Sequence, residues 1–250
     1  FWGGGHVLQI AYVLLGMVAW CWLAETSMQY PVSDRFLVVL ALLLAITVVA
    51  TPAIYWFAEV NTQWHIQFFT WQMNALVGTI PGLLAFWLFW QLLRSKPTFS
   101  KPASYWMLFG SLLLFLAGGA TGFLIEGSDV TIPAHYHGST GGITLAAMAI
   151  VFLLLPYFGL PSVEDWKLAK LQPMIYALGQ LLFMVGFIWA GGHDVARKTA
   201  GALDESQQGA ALALQIYRFG GLLAVVGGVI FFVVLFRAYR KRKPSPAHTN

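Results

Sequence analysis

Seven apolar runs of roughly twenty residues, separated by short polar stretches, constrain this chain more than any motif in it. They cover residues 2–24, 36–57, 65–93, 106–125, 134–158, 171–190 and 211–236. An α-helix rises 1.5 Å per residue, so about twenty residues cross the hydrocarbon layer of a bilayer. Strands of a membrane barrel alternate apolar and polar residues. These runs do not alternate, so each predicts a helix. The chain is 58% hydrophobic and only 10% charged, whereas a soluble domain carries about a quarter charged residues. The expected fold class is therefore all-α: a polytopic membrane helix bundle of about seven transmembrane helices. A single bundle is expected over residues 1–242, with a disordered cytoplasmic tail at 243–250.

The net charge of +4 does not point to nucleic acid, because the cations are not spread as a binding face. Eight of the fourteen Lys and Arg lie in two segments, 94–101 ("RSKPTFSK") and 237–243 ("RAYRKRK"). Threading seven helices puts these segments on one side, together with Arg35, Lys167 and Lys170. The opposite side keeps Arg197, Lys198 and Arg218. Excess Lys and Arg mark the cytoplasmic side, so the C-terminus is expected inside and the N-terminus outside, in a bacterial cytoplasmic membrane. The basic tail reads as a solvated orienting segment, and binding of anionic lipid overlaps with that role.

The sequence starts at Phe1, within an apolar run and with no charged signal-peptide segment before it. The expectation is that sequence upstream of Phe1 is missing. The lone Cys21 offers no disulfide framework or thiolate metal site and reads as a small core residue. Glycine pairs at 118–119, 220–221 and 227–228 suit close helix–helix approach. Gly3-Gly4-Gly5 lacks the following Lys-Ser/Thr of a phosphate loop.

The histidines carry the functional signal. His248 lies in the tail and His193 reads as a loop residue. The first, third and fifth helices all begin on the outer side, and His6, His65, His135 and His137 fall within their first several residues. A histidine inside a spanning segment is costly and faces an interior, a cavity or a cofactor. One such residue is as well explained by an internal hydrogen bond as by a ligand. Four at one depth favour a metal or haem site. His135 and His137 stand two residues apart in "IPAHYHGSTGG". Successive helical residues turn by about 100°, so these two point about 200° apart. They cannot share one metal from a regular helix, but can serve two centres on opposite sides of it. A haem iron takes an axial imidazole, and two flat haems fit this spacing. Glycines at 138, 141 and 142 are expected to let such planar groups approach the backbone.

The segment "AGGATGFLIEGSDVTIPAHYHGSTGGITLAAM" (117–148) resembles the ninth-to-tenth helix region of subunit I of the haem–copper oxidases, a superfamily that includes the nitric oxide reductases. "FWGGGHVLQ" (1–9) resembles the family's sixth helix, and "GTIPGLLAFW" (78–87) its eighth. The resemblance covers most of the chain as helices six to twelve. It implies that His135 binds a high-spin haem where gas is reduced, and His137 a low-spin haem that delivers electrons. It implies that His6 is a ligand of a non-haem copper or iron. Arg197 and Lys198 would pair with haem propionates, or serve as ordinary loop charges. Glu126 and Asp129 read as surface acids, with an outer-side proton or cation path as the alternative.

The sequence also departs from the family. An adjacent His-His pair should fall near Tyr55-Trp56-Phe57 and is absent. Glu59 and His65 are the nearest outer-side substitutes, and nitric oxide reductases do use a glutamate near their iron. Ile10 stands where many oxygen reductases have a tyrosine, and Ala85 near where one proton channel has its lysine. The copper site and proton pumping are thus left open. The second axial histidine of the low-spin haem comes from a family helix preceding this chain. Another membrane subunit, or a missing N-terminal half, is expected to supply it.

The leading functional reading is a haem-bearing membrane subunit of a respiratory oxidase-type complex. It would act with other membrane subunits and a cytochrome c-type or quinol electron donor. Two alternatives stay open: a diverged subunit without the copper site, acting in electron transfer or as scaffold, and a proton-coupled transporter.

Overall fold

A computed structural model describes residues 2–125, 129–193, 195–196 and 210–242. The fold is the expected all-α membrane bundle, and among the described residues seven helices are long and apolar enough to cross a membrane. The bundle read over residues 1–242 resolves into two compact units, Phe1–Ser95 and Lys96–Asn250. The tail at 243–250 lies outside the described residues.

In the first unit, α1 spans Trp2–Met28 and α2 spans Asp34–Ala50. Pro52 has no N–H to continue the ladder, and α2 tightens into a 3-10 turn over Thr51–Trp56. The third span, read from sequence as one uninterrupted run, is α3 (Gln63–Gln72), a π-helical turn (Met73–Gly78) and α4 (Thr79–Arg94). Pro81 accounts for the break, because it leaves a carbonyl of the preceding turn without an N–H donor. Within the same turn the Thr79 hydroxyl donates to the Asn74 carbonyl at 2.8 Å. Gly3 of α1 lets the Phe69 ring of α3 lie against its backbone, where a Cβ would be 2.5 Å from the ring. Gln72 joins α3 to the end of α2. Its amide donates to the Thr51 hydroxyl at 2.9 Å and the Thr47 carbonyl at 3.0 Å. Cys21 is buried, as a core residue should be.

In the second unit, α5 spans Ala103–Gly122, α6 Thr131–Leu154, α7 Lys167–Gly191 and α8 Ala211–Arg240. Lipid offers no hydrophobic drive between helices, so close backbone approach through small residues has to supply van der Waals contact. Two seams do this. Gly118 of α5 meets the backbone of Gly138 and Ser139 of α6. Gly142 meets Ser111 and Phe115 one to two turns on. The Ser111 hydroxyl donates to the Gly142 carbonyl at 2.6 Å. On the other side, Gly179 and Gly186 of α7 admit the backbones of Ala224 and Tyr217 of α8, and Gly220 and Gly227 of α8 admit α7 in return. Of the glycine pairs read as packing sites, Gly118, Gly220 and Gly227 are tight, whereas nothing lies near Gly119 or Gly228.

The loop before α7 also organises α5. The Glu164 carboxylate accepts from both the backbone N–H and the hydroxyl of Ser104, at 3.0 and 2.5 Å. The Glu164 carbonyl accepts from the Ala103 N–H at 2.8 Å. A carboxylate at a helix N-terminus satisfies donors that have no intrahelical partner and opposes the helix dipole. Glu164→Ala is expected to destabilise the protein by about 1–2 kcal/mol. Thermal unfolding in detergent reads the loss, and Glu164→Gln should recover part of it.

Candidate functional site

The site is built on the first two turns of α6. Asp129 accepts from the Thr131 N–H at 2.7 Å and so caps the start of that helix. This is a structural role for an acid that the sequence left between surface and path. α6 is regular α-helix from Thr131 to Leu154, so the 200° separation of His135 and His137 holds. The two rings bind different neighbours. His135 Nδ1 lies 2.7 Å from the Gly118 carbonyl of α5, and a Cβ on Gly122 would crowd the same ring at 3.0 Å. His137 Nδ1 lies 3.1 Å from Gln180 Oε1 of α7. Its ring rests on Phe183, with centroids 3.9 Å apart.

These bonds assign the tautomers. A carbonyl oxygen only accepts, so the Nδ1 facing it must carry the proton. In both residues the lone pair then sits on Nε2, which has no hydrogen-bond partner among the described residues. A neutral imidazole held by an Nδ1–H bond, with Nε2 free, is the form that ligates a metal. His135 and His137 therefore fit the axial ligand of a haem, one on each side of α6. They would supply one imidazole to each of two haems.

Two side chains that shape this site were not singled out from the sequence, and Gly118 was read for packing alone. Gln180 and Phe183 sit in an apolar run, and the buried amide of Gln180 was the one signal that could have marked it. The Gly118 carbonyl gave no signal, because only the packing of α5 on α6 brings it to His135. The glycines of the motif also differ from expectation. Gly138 and Gly142 are filled by the backbone of α5, and Gly141 faces the Gln180 side chain at ordinary contact distance. They serve helix packing, and leave no gap there for a planar group.

The candidate non-haem ligands His6, His65 and Glu59 form no group of three. His6 and His65 are both buried in the first unit, on α1 and α3, whereas Glu59 is exposed in the turn before α3. Among the described residues no three His, Cys, Asp or Glu side chains form a group that could hold a metal. Neither ring nitrogen of His65 has a hydrogen-bond partner among those residues. The ring lies instead between Tyr55 and Phe69, at centroid distances of 5.5 and 5.1 Å. His193 donates from Nδ1 to the Trp189 carbonyl at 3.0 Å and so closes the last turn of α7, the loop role expected of it. Arg197, Lys198 and Glu126 lie outside the described residues.

Two proteins of known sequence are similar to this chain over much of its length. An uncharacterized protein of Rickettsia prowazekii (strain Madrid E) is 26% identical over 275 aligned positions, covering 94% of this chain and 53% of that protein. An uncharacterized protein of Aquifex aeolicus (strain VF5) is 27% identical over 182 positions, covering 70% of this chain and 42% of that protein. The chain spans about half the length of the curated relatives it matches. No protein-family model matches it, and no solved structure matches it.

Proposed function

We propose that this chain is a haem-bearing membrane subunit of a respiratory oxidase-type complex, related to subunit I of the haem–copper oxidases. The observation that carries the reading is the pair His135 and His137. Both stand on one regular helix, each Nδ1 is bound to a different neighbouring helix, and both Nε2 lone pairs are left available. When bound, haem supplies a reversible one-electron iron and, where one face is open, a place for a gas ligand.

The protein's own residues do the positioning. The main chain of α5 holds the His135 ring at a fixed angle for the high-spin haem. α7 holds the His137 ring for the low-spin haem, through Gln180 and Phe183. The spacing of two residues keeps both rings at one depth, so haems held by them would flank a single helix and supply one-electron chemistry there. A haem held by His137 would take its other protein ligand from another membrane subunit or from residues preceding Phe1. Electrons come from a cytochrome c-type or quinol donor. The basic ends 94–101 and 237–243 face the cytoplasm of a bacterial cell, with the N-terminus outside.

A second reading, electron transfer without gas chemistry, is favoured by one observation. Exposed Glu59 forms no three-ligand group with His65 and His6. A reduced-minus-oxidised spectrum of the purified complex, with and without carbon monoxide, tests both. Two haem signals, of which one responds to carbon monoxide, support the oxidase reading. Low-spin haem with no carbon monoxide response selects the second. A haem-free complex rejects both. Copper and iron analysis on the same sample identifies any non-haem metal.

A further inference from the structure

The two histidines are held by unlike partners. His135 is bound by a main-chain carbonyl, which no substitution at that position removes. His137 is bound by a side chain, the amide of Gln180. That amide belongs to a short polar chain between α6 and α7. Tyr176, one turn earlier on α7, lies within reach of both the Gln180 amide and Thr144 of α6. Gln180 is 8% exposed, so water does not compete strongly for the amide.

We propose that Gln180 is the positioning residue that selects the tautomer of His137 and sets the redox potential of the iron which His137 ligates. This rests on the haem reading above for its second half alone. The orientation of each link follows from donor chemistry. The His137 Nδ1–H donates to Gln180 Oε1, which turns the amide nitrogen toward Tyr176. The Tyr176 oxygen can accept from that nitrogen and still donate its own proton to Thr144 Oγ1. Buried Tyr176 therefore orients the amide, and the amide fixes the imidazole. Without the amide oxygen, nothing described on this side of α6 holds the proton on Nδ1, and the Nε2–H form becomes as accessible. Only the Nδ1–H form presents its lone pair at Nε2. A stronger acceptor at Nδ1–H makes the imidazole a better electron donor to a ligated metal, which stabilises oxidised iron and lowers its potential.

The test has two arms. In the first, the full chain is labelled with 15N-histidine and made in cells that cannot synthesise haem. Its spectra are recorded in lipid, and His137 is identified by difference from His137→Asn. The expected result is a protonated Nδ1 and bare Nε2 in the native chain. Gln180→Leu should shift the resonances to a tautomer mixture, and Gln180→Glu should restore the native form. A native His137 protonated on Nε2, or a Gln180→Leu spectrum unchanged at His137, overturns the proposal. This arm needs no haem, so it judges Gln180 even if the haem reading fails. In the second arm the low-spin midpoint potential is titrated in the assembled complex. It should rise in Gln180→Leu and fall in Gln180→Glu, with the carbon monoxide-binding haem unmoved. Equal potentials in all three proteins, or parallel shifts in both haems, overturn the redox half and reduce Gln180 to a packing residue.

Discussion

His135→Gly should abolish the carbon monoxide difference spectrum of the complex and leave most of the low-spin signal in place. His137→Gly should do the reverse: the low-spin signal is lost, and chemically reduced high-spin haem still binds carbon monoxide while electron entry from the donor stops. The prediction follows from the two rings pointing to different helices, with His135 bonded to Gly118 of α5 and His137 to Gln180 of α7. Removing one imidazole then disturbs one centre. Losing a haem leaves a large void, so assembly has to be checked by the co-purifying subunits. Glycine is chosen because free imidazole in the buffer can occupy the space and restore the matching spectrum. If either single variant erases both signals in an intact complex, and imidazole restores both together, the two histidines act on one shared centre. The two-centre reading is then wrong.

The sequence made the helices legible because bilayer thickness imposes a length and lipid forbids unpaired backbone. Each apolar run became a span with bounds near those read. Local chemistry inside a span was less visible. Hydropathy sees 65–93 as one run, but the π-turn at Met73–Gly78 depends on a single missing N–H at Pro81. The opposed directions of His135 and His137 were readable from helical rotation alone. Their partners were not, since Gly118 and Gln180 reach them through packing between helices far apart in sequence. The glycines of the motif misled for the same reason. A glycine marks close approach without saying what approaches, and here it is α5. The His6, His65 and Glu59 grouping relied on shared depth. Depth leaves rotation and exposure unspecified, and Glu59 turns out exposed.

The adjacent glycines of α5 give the sharpest test of that packing. Gly118→Leu should be the most destabilising single change in the second unit, and Gly119→Leu, one residue along, should be nearly silent. A Cβ on Gly118 has no room, because the backbone of Gly138 and Ser139 already fills its place, and backbone cannot swing aside as a side-chain tip does. Nothing lies within 4 Å of a Cβ on Gly119. Overpacking costs about 1–3 kcal/mol when neighbouring side chains can yield. Here two helix axes have to separate, so the loss is expected at or above about 3 kcal/mol. The separation also carries the Gly118 carbonyl away from His135 Nδ1, now 2.7 Å apart. Gly118→Leu should therefore lower the melting temperature in detergent and, in whatever protein still assembles, weaken the His135-dependent signal before the His137-dependent one. Gly119→Leu keeps both signals and gains slightly from replacing a helix-interior glycine, by up to about 1 kcal/mol. Equal melting temperatures for the two variants would mean that α5 and α6 are not in backbone contact at Gly118. His135 would then have to be held by some other acceptor.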